Sequence, residues 1–275
     1  MSNQEFAGRS ALVTGGGSGI GLACAAWFAA RGATVAILGR AQERLDAGAA
    51  EIRKAVPDAE VLTFAVDVGE EDDLAEAVRS TNASAPLQVV VASAGTGGLA
   101  PITHQDADDY DRIMRINTRG TLLSFKHGGA AIAANGGGAM CAISSIAGLR
   151  THQFMGAYCV SKAAIDAMVR NAADELGTVN VRVNSVCPGL VETELASGLL
   201  NTDAVYQDYL QCMPIARHGL VADIAEAVGF LCSPAASWIT GVTLPVDGGH
   251  HLRRGPDVSP FAVAMYGENP IKAEG

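Results

Sequence analysis

The chain has 275 residues, with 19 basic against 29 acidic side chains and a net charge of −10. Apolar residues make up 49% and charged residues only 17%, a balance too apolar for a disordered chain. The acidic excess leaves no basic footprint for phosphate-rich partners, so neither nucleic acid nor an anionic membrane is an expected partner.

The opening Met1-Ser2-Asn3-Gln4-Glu5-Phe6 has neither the basic region nor the apolar run of a secretory leader. Uncharged stretches such as residues 11–30 are interrupted by glycine and hydroxyl residues, and none reads as a membrane span. From there, short β-branched runs alternate with amphipathic stretches. Strands are predicted over residues 11–14, 34–38, 60–66, 87–92, 139–144, 181–187 and 242–246. Ile20, Cys24, Trp27 and Phe28 recur at helical spacing, and Gly32 is expected to stop that helix. Leu45, Ala49, Ile52 and Val56 repeat the pattern until Pro57. The strands are near-continuous apolar runs, as expected where helices cover both faces of a sheet. The fold class predicted is α/β: a doubly wound, Rossmann-like sheet of about seven parallel strands. No linker divides it, so residues 1–249 are expected to form one domain. The irregular tail, residues 250–275, is expected either to pack on a neighbour or to fray.

The six cysteines, Cys24, Cys141, Cys159, Cys187, Cys212 and Cys232, contain no CxxC pair and no metal-ligand spacing. Buried free thiols in a reducing compartment, and hence a cytoplasmic location, are expected. The adjacent His250-His251 pair does not suit helical ligation, and no metal is assigned.

Thr14-Gly15-Gly16-Gly17-Ser18-Gly19-Ile20-Gly21 sits between the first strand and the first helix. Strict GxGxxG fails, because Ile20 stands where a third glycine belongs; the spacing present is GxxxGxG from Gly15, Gly19 and Gly21. A plain glycine loop would read the same way. Glycines also let a backbone approach a pyrophosphate at a helix N-terminus, and the placement between strand and helix favours a dinucleotide site. No P-loop lysine follows, which argues against an NTPase. The second strand ends in Gly39-Arg40 rather than in an acid. An acid there would hold ribose hydroxyls, whereas Arg40 would pair with a 2′-phosphate, so NADP is preferred to NAD unless Arg40 is a solvated loop residue. Asp67-Val68 after the third strand would meet adenine, or Asp67 is a simple loop acid.

Tyr158 and Lys162 stand at i and i+4 in a helical pattern, so phenol and ammonium share one face. A phenol has an ordinary pKa of about 10, and a nearby cation would bring it into range for proton transfer with an alcohol. Taken alone, YxxxK spacing is a common surface accident. Here the order is TGxxxGxG, an Asn-containing helix, Ser144-Ser145 at a strand end, YxxxK, then Pro188-Gly189. In that order, over residues 6–249, the sequence resembles the short-chain dehydrogenase/reductase family.

The resemblance implies roles residue by residue. Tyr158 matches the general acid/base, and Lys162 the residue that lowers the tyrosine pKa and holds the nicotinamide ribose. Ser145 matches the hydroxyl that orients the substrate oxygen; strand alternation should turn the adjacent Ser144 the other way. Asn117 matches the asparagine supporting a water in the proton relay; its bland reading is a helix-kink or core amide. Gly15, Ser18, Gly19, Ile20, Gly21, Ala94, Gly95, Pro188, Gly189, Val191 and Thr193 fall at cofactor-contact positions. Ser93 departs from the family's Asn-Ala-Gly, which puts the hydrogen bonds at that point in doubt. Asp247-Gly248-Gly249 resembles the end of the last strand. Family members commonly form homotetramers, which would make the helices around residues 106–134 and 154–175 partly interface.

The function expected is hydride transfer between NADP(H) and a small-molecule secondary alcohol or ketone. Leu195, Leu199, Leu200, Tyr206, Tyr209, Leu210 and Met213 would favour an apolar substrate (3-oxoacyl, steroid or similar) if they form a lid, and say nothing of substrate if they are ordinary helix stripes. Arg150 and His152 would meet a polar substrate end or solvent. The alternatives are a catalytically silent, nucleotide-binding structural or regulatory protein and, among enzymes, an epimerase or dehydratase retaining its cofactor.

Overall fold

The computed structural model describes residues 4–268, 270 and 271. The first half alternates β1 (Ser10–Thr14), α1 (Gly19–Ala29), β2 (Thr34–Gly39), α2 (Gln42–Ala55), β3 (Val61–Ala65), α3 (Glu71–Ser84) and β4 (Leu87–Ala92). It continues through α4 (Ala107–Met114), α5 (Gly120–Ala134), β5 (Gly138–Ile143), α6 (Ile146–Leu149), α7 (Gly156–Leu176) and β6 (Val181–Pro188). The chain then forms α8 (Ser197–Leu200), α9 (Asp203–Cys212), α10 (Val221–Cys232), β7 (Thr243–Val246) and α11 (Ser259–Tyr266).

The seven strands form one parallel sheet in the order β3-β2-β1-β4-β5-β6-β7. The order reverses between β1 and β4, and in such sheets ligands bind beyond the strand ends at that switch point. All seven predicted strands are present, with no end shifted by more than one residue. Helix α1 closes before Gly32, which sits at φ +86°. Helix α2 ends at Ala55, because Val56 precedes Pro57 and leaves the helical region.

Each sheet face is buried under helices. Val13, Val35, Ile37, Val89 and Cys141 point to α1, α2 and α10; Leu12, Leu38, Val90, Met140 and Val183 point to α3, α5 and α7. This two-sided burial is why the strands read as continuous apolar runs. All six cysteines are free, and Cys159 is half-buried where the other five are buried.

Part of the tail packs on its own chain rather than fraying. His250, Val258 and Ala262 are buried within this chain's own structure. Val258 joins Leu190, Val205, Tyr209 and Met213 in a third, smaller core over the carboxyl ends of the strands. Arg254 pairs with Asp208 on α9, and Arg253 Nη1 donates to the Gln211 carbonyl at 2.8 Å. The sequence shows no periodicity there because these contacts come from single residues rather than a repeating face.

Candidate active site

Beyond the carboxyl ends of β1, β4, β5 and β6 lies a cleft of about 740 Å³. The glycine-rich turn forms one wall. Gly15 sits at φ +66° and Gly19 at φ +53°, conformations that favour glycine. A Cβ on Gly21 would lie 2.3 Å from the Gly15 carbonyl oxygen, so the turn folds back onto α1 only with glycine at that position. Ser18 makes no side-chain cap to α1, and Ser18, Gly19, Ile20 and Gly21 all face the cleft. The first-turn N–H groups of an eleven-residue helix therefore face the cleft without a side-chain cap, an arrangement suited to an anion.

Tyr158 and Lys162 enter the same cleft from the first turns of α7, and Ser145 from the end of β5. Burial pushes the Tyr158 phenol above its ordinary pKa, while a hydrogen bond from Ser145 pulls it down. Lys162 donates to the Ile143 carbonyl at 2.8 Å and lies 5.5 Å from the Tyr158 ring centroid. Burial lowers the Lys162 ammonium to about 8. Ser145 caps α6, its Oγ accepting from the Ala147 N–H at 3.1 Å. Ser144 turns to α7 instead, donating to the Lys162 carbonyl at 3.2 Å.

Ala94, Gly95, Pro188, Gly189, Val191 and Thr193 line the cleft with these groups. A Cβ on Gly95 would lie 3.6 Å from Lys162 Nζ, so glycine keeps the approach to the ammonium open. Not every predicted site residue reaches the cleft. Asn117 is fully buried behind it, in a π-helical turn spanning Arg115–Arg119. Arg40 is exposed at the end of β2, outside the cleft lining. Asp67 and Val68 are outside it too. The Asp67 carboxylate accepts from Gly69 N–H at 2.9 Å and pairs with Arg115 at 3.2 Å. Partial burial raises its pKa, but those two partners and the nearby Arg40 charge outweigh that and hold it below the usual carboxylate value.

Sequence reasoning missed Arg44 and Glu194, which pair at 2.8 Å beside the glycine turn across 150 residues of chain. Of the apolar residues after Pro188, Leu195, Leu199 and Tyr209 line the cleft, while Tyr206, Leu210 and Met213 pack into the third core. His152 is buried and lines the cleft, and Arg150 does not.

Over residues 15–251 the chain matches the family model described as Enoyl-(Acyl carrier protein) reductase. It is 35% identical over 245 residues to a galactitol 2-dehydrogenase (L-tagatose-forming) of Cereibacter sphaeroides, covering 88% of this chain and 95% of that protein. The chain belongs to the short-chain dehydrogenase/reductase family. It is an NAD(P)-dependent oxidoreductase acting on CH–OH groups. A short-chain dehydrogenase/reductase from Mycobacterium ulcerans superposes with a TM-score of 0.94 at 40% identity, covering 97% of this chain and 98% of that one. A 7α-hydroxysteroid dehydrogenase solved with NADH and 7-oxo-glycochenodeoxycholic acid superposes at 0.85 and 32% identity, covering 90% and 96%.

As a member of this family the protein departs at Ser93, and the structure shows what holds that point together. Thr14 Oγ1 accepts from the Ser93 N–H at 3.0 Å and the Ala94 N–H at 3.1 Å. The Thr14 side chain thus joins β1 to backbone N–H groups of the loop after β4, whatever side chain stands at position 93.

Proposed function

We propose that this enzyme moves hydride between NADP(H) and a secondary alcohol or ketone, with Tyr158, Ser145 and Lys162 as its catalytic residues. The observation that carries this reading is that phenol, hydroxyl and ammonium share one cleft with the uncapped glycine turn. Bound nicotinamide would supply or accept the hydride. The protein's part is the proton. Ser145 donates a hydrogen bond to the substrate oxygen and fixes it against Tyr158 Oη. In reduction the Tyr158 hydroxyl gives its proton to that oxygen as the carbonyl carbon is reduced; in oxidation the phenolate takes it back. Lys162 would hold the nicotinamide ribose. Asn117 holds the loop and α7 in place for this relay.

Gly15, Ser18, Gly19, Ile20 and Gly21 would take the pyrophosphate. Ala94, Gly95, Pro188, Gly189, Val191 and Thr193 would flank the nicotinamide half. Arg40 would pair with the 2′-phosphate, and its exposure at the end of β2 leaves the guanidinium free to do so. Against that preference, the steroid dehydrogenase noted above was solved with NADH. Asp67 and Val68 would meet adenine, Asp67 through whatever its bonds to Gly69 and Arg115 leave accessible.

The relatives' substrates, a polyol in one case and a steroid ketone in another, fit secondary-alcohol chemistry on an apolar-walled cleft. No comparison favours a silent binding protein. Residues 1–249 would act as one unit, with the tail closing the substrate side. Exposed Leu122 on α5 and Val160 on α7 support a homotetramer built on those helices. No described helix is long and apolar enough to cross a membrane, and a cytoplasmic setting fits the six free thiols. Mixing enzyme, NADPH and a panel of ketones and following loss of the reduced nicotinamide signal tests the reading. Turnover of at least one ketone is expected, and binding of NADPH without turnover of any would favour the silent alternative.

A further inference from the structure

The substrate side of the cleft is mostly apolar, with Leu99, Met155, Leu190 and Leu199 among its lining residues. Two polar side chains interrupt it that the reaction above does not use. Tyr209 projects from α9, and His152 from the loop between α6 and α7. Among the described residues the Tyr209 hydroxyl makes no hydrogen bond, and His152 bonds only through Nδ1.

The hydrogen-bonding state of His152 follows from its surroundings. Nδ1 lies 3.3 Å from the Arg150 carbonyl oxygen, which only accepts, so Nδ1 carries the proton. Burial, aided by the Arg150 charge, pushes His152 below the ordinary histidine value despite that carbonyl, so the ring is neutral at pH 7. Nε2 is then left with a lone pair and acts only as an acceptor. Tyr209 is also neutral: burial raises its phenol, and the nearby Tyr158 phenol adds to the effect.

Both side chains are held in place by the tail. The buried His250 ring stands edge-on to Tyr209 at 5.7 Å and to His152 at 6.1 Å, so it bridges the two. His250 Nε2 lies 3.2 Å from the Arg254 carbonyl, and Arg254 pairs with Asp208, the residue before Tyr209. A site built on locked rings discriminates better than one on mobile side chains.

We propose that His152 Nε2 and the Tyr209 hydroxyl form a second hydroxyl-binding subsite, and that the substrate is a diol or hydroxy ketone with this second hydroxyl close to the reacting carbon. The inference rests on the oxidoreductase reading above and narrows its substrate class. A hydroxyl placed between them would donate to Nε2 and accept from Tyr209, satisfying both groups at once. A second ketone oxygen satisfies Tyr209 alone and sets its lone pairs against that of Nε2. A carboxylate meets the same opposition at Nε2. A methylene leaves both polar groups unpaired once substrate excludes water, which is how sites built for a hydroxyl reject the analogue lacking it.

The test is steady-state oxidation, with NADP as co-substrate, of cyclohexane-1,2-diol (cis and trans) against cyclohexanol. The wild type is expected to favour one diol isomer at least tenfold in kcat/KM, with most of the difference in KM. His152→Leu should cut that preference to less than threefold, and His152→Gln, whose amide oxygen accepts, should keep most of it. Tyr209→Phe removes only a hydroxyl and should also erode the preference, which secures the test if His152→Leu folds poorly. Equal treatment of diol and mono-alcohol by the wild type would overturn the subsite while leaving the oxidoreductase reading intact. So would proportionate losses on both substrates in His152→Leu and Tyr209→Phe. Failure to oxidise any secondary alcohol would overturn the oxidoreductase reading itself, and the subsite with it.

Discussion

Asn117 grips Thr96 through both ends of its amide. Oδ1 accepts from the Thr96 N–H at 2.8 Å, and Nδ2 donates to the Thr96 carbonyl at 2.9 Å. Nδ2 also donates to Ser161 Oγ at 2.9 Å, which in turn donates to the Tyr158 carbonyl. One fully buried amide thereby ties the loop after β4 to the helix that carries the phenol and ammonium.

Replacing Asn117 removes those bonds at a fully buried position. At about 1 kcal/mol for each lost bond, Asn117→Ala should cost about 3 kcal/mol of stability. Thermal unfolding and kcat should fall together. An unchanged melting temperature with normal kcat would show that the clamp is dispensable.

Gly21 is constrained by close approach. A Cβ there would sit 2.3 Å from the Gly15 oxygen, which is backbone and unable to swing aside. Gly21→Ala should cost about 2 kcal/mol and weaken dinucleotide binding, measured by fluorescence titration. A variant with wild-type stability and affinity would contradict this geometry.

Lys162 stores instability in the cofactor-free protein. Its pKa falls from 10.5 to about 8 through burial. Below pH 8 the folded protein carries a buried charge that costs about 3 kcal/mol, at about 1.4 kcal/mol per pH unit. Between pH 8 and 10.5 the unfolded chain keeps the proton that the folded chain has released, so stability rises with pH through that window. Lys162→Met should therefore melt several degrees higher than wild type at pH 7, with the gap closing toward pH 10, while activity is lost. A lower melting temperature at pH 7 would contradict the burial argument.

Arg40 should govern cofactor choice. Losing a charge-assisted pair with a 2′-phosphate is worth roughly tenfold or more in affinity. Arg40→Ala is expected to weaken NADPH binding by that factor while leaving NADH nearly unchanged. Equal effects on both cofactors would place the guanidinium in solvent.

Much of this arrangement was legible in the sequence because it is written in local patterns. The β-branched runs of Val35-Ala36-Ile37-Leu38 and Val89-Val90-Val91 mark buried parallel strands, and the resemblance joined Ser145 to Tyr158 and Lys162. What escaped depends on contacts between residues distant in the chain. Thr14 reaches the loop at Ser93 and Ala94, Arg44 meets Glu194, and His250 in the tail braces His152 and Tyr209. None of these leaves a periodicity or a spacing to read. The lowering of the Tyr158 pKa expected from Lys162 is not what the folded chain shows: burial raises the phenol and outweighs the hydrogen bond from Ser145.

The most direct test of the central claim compares wild type with Tyr158→Phe, measuring NADPH affinity by titration and ketone reduction by single-turnover kinetics. The account predicts affinity within a few-fold of wild type and reduction slowed at least a hundredfold, since only the proton donor is removed. Reduction at the wild-type rate would contradict the assignment of Tyr158 as the acid, and with it the chemistry proposed for the cleft.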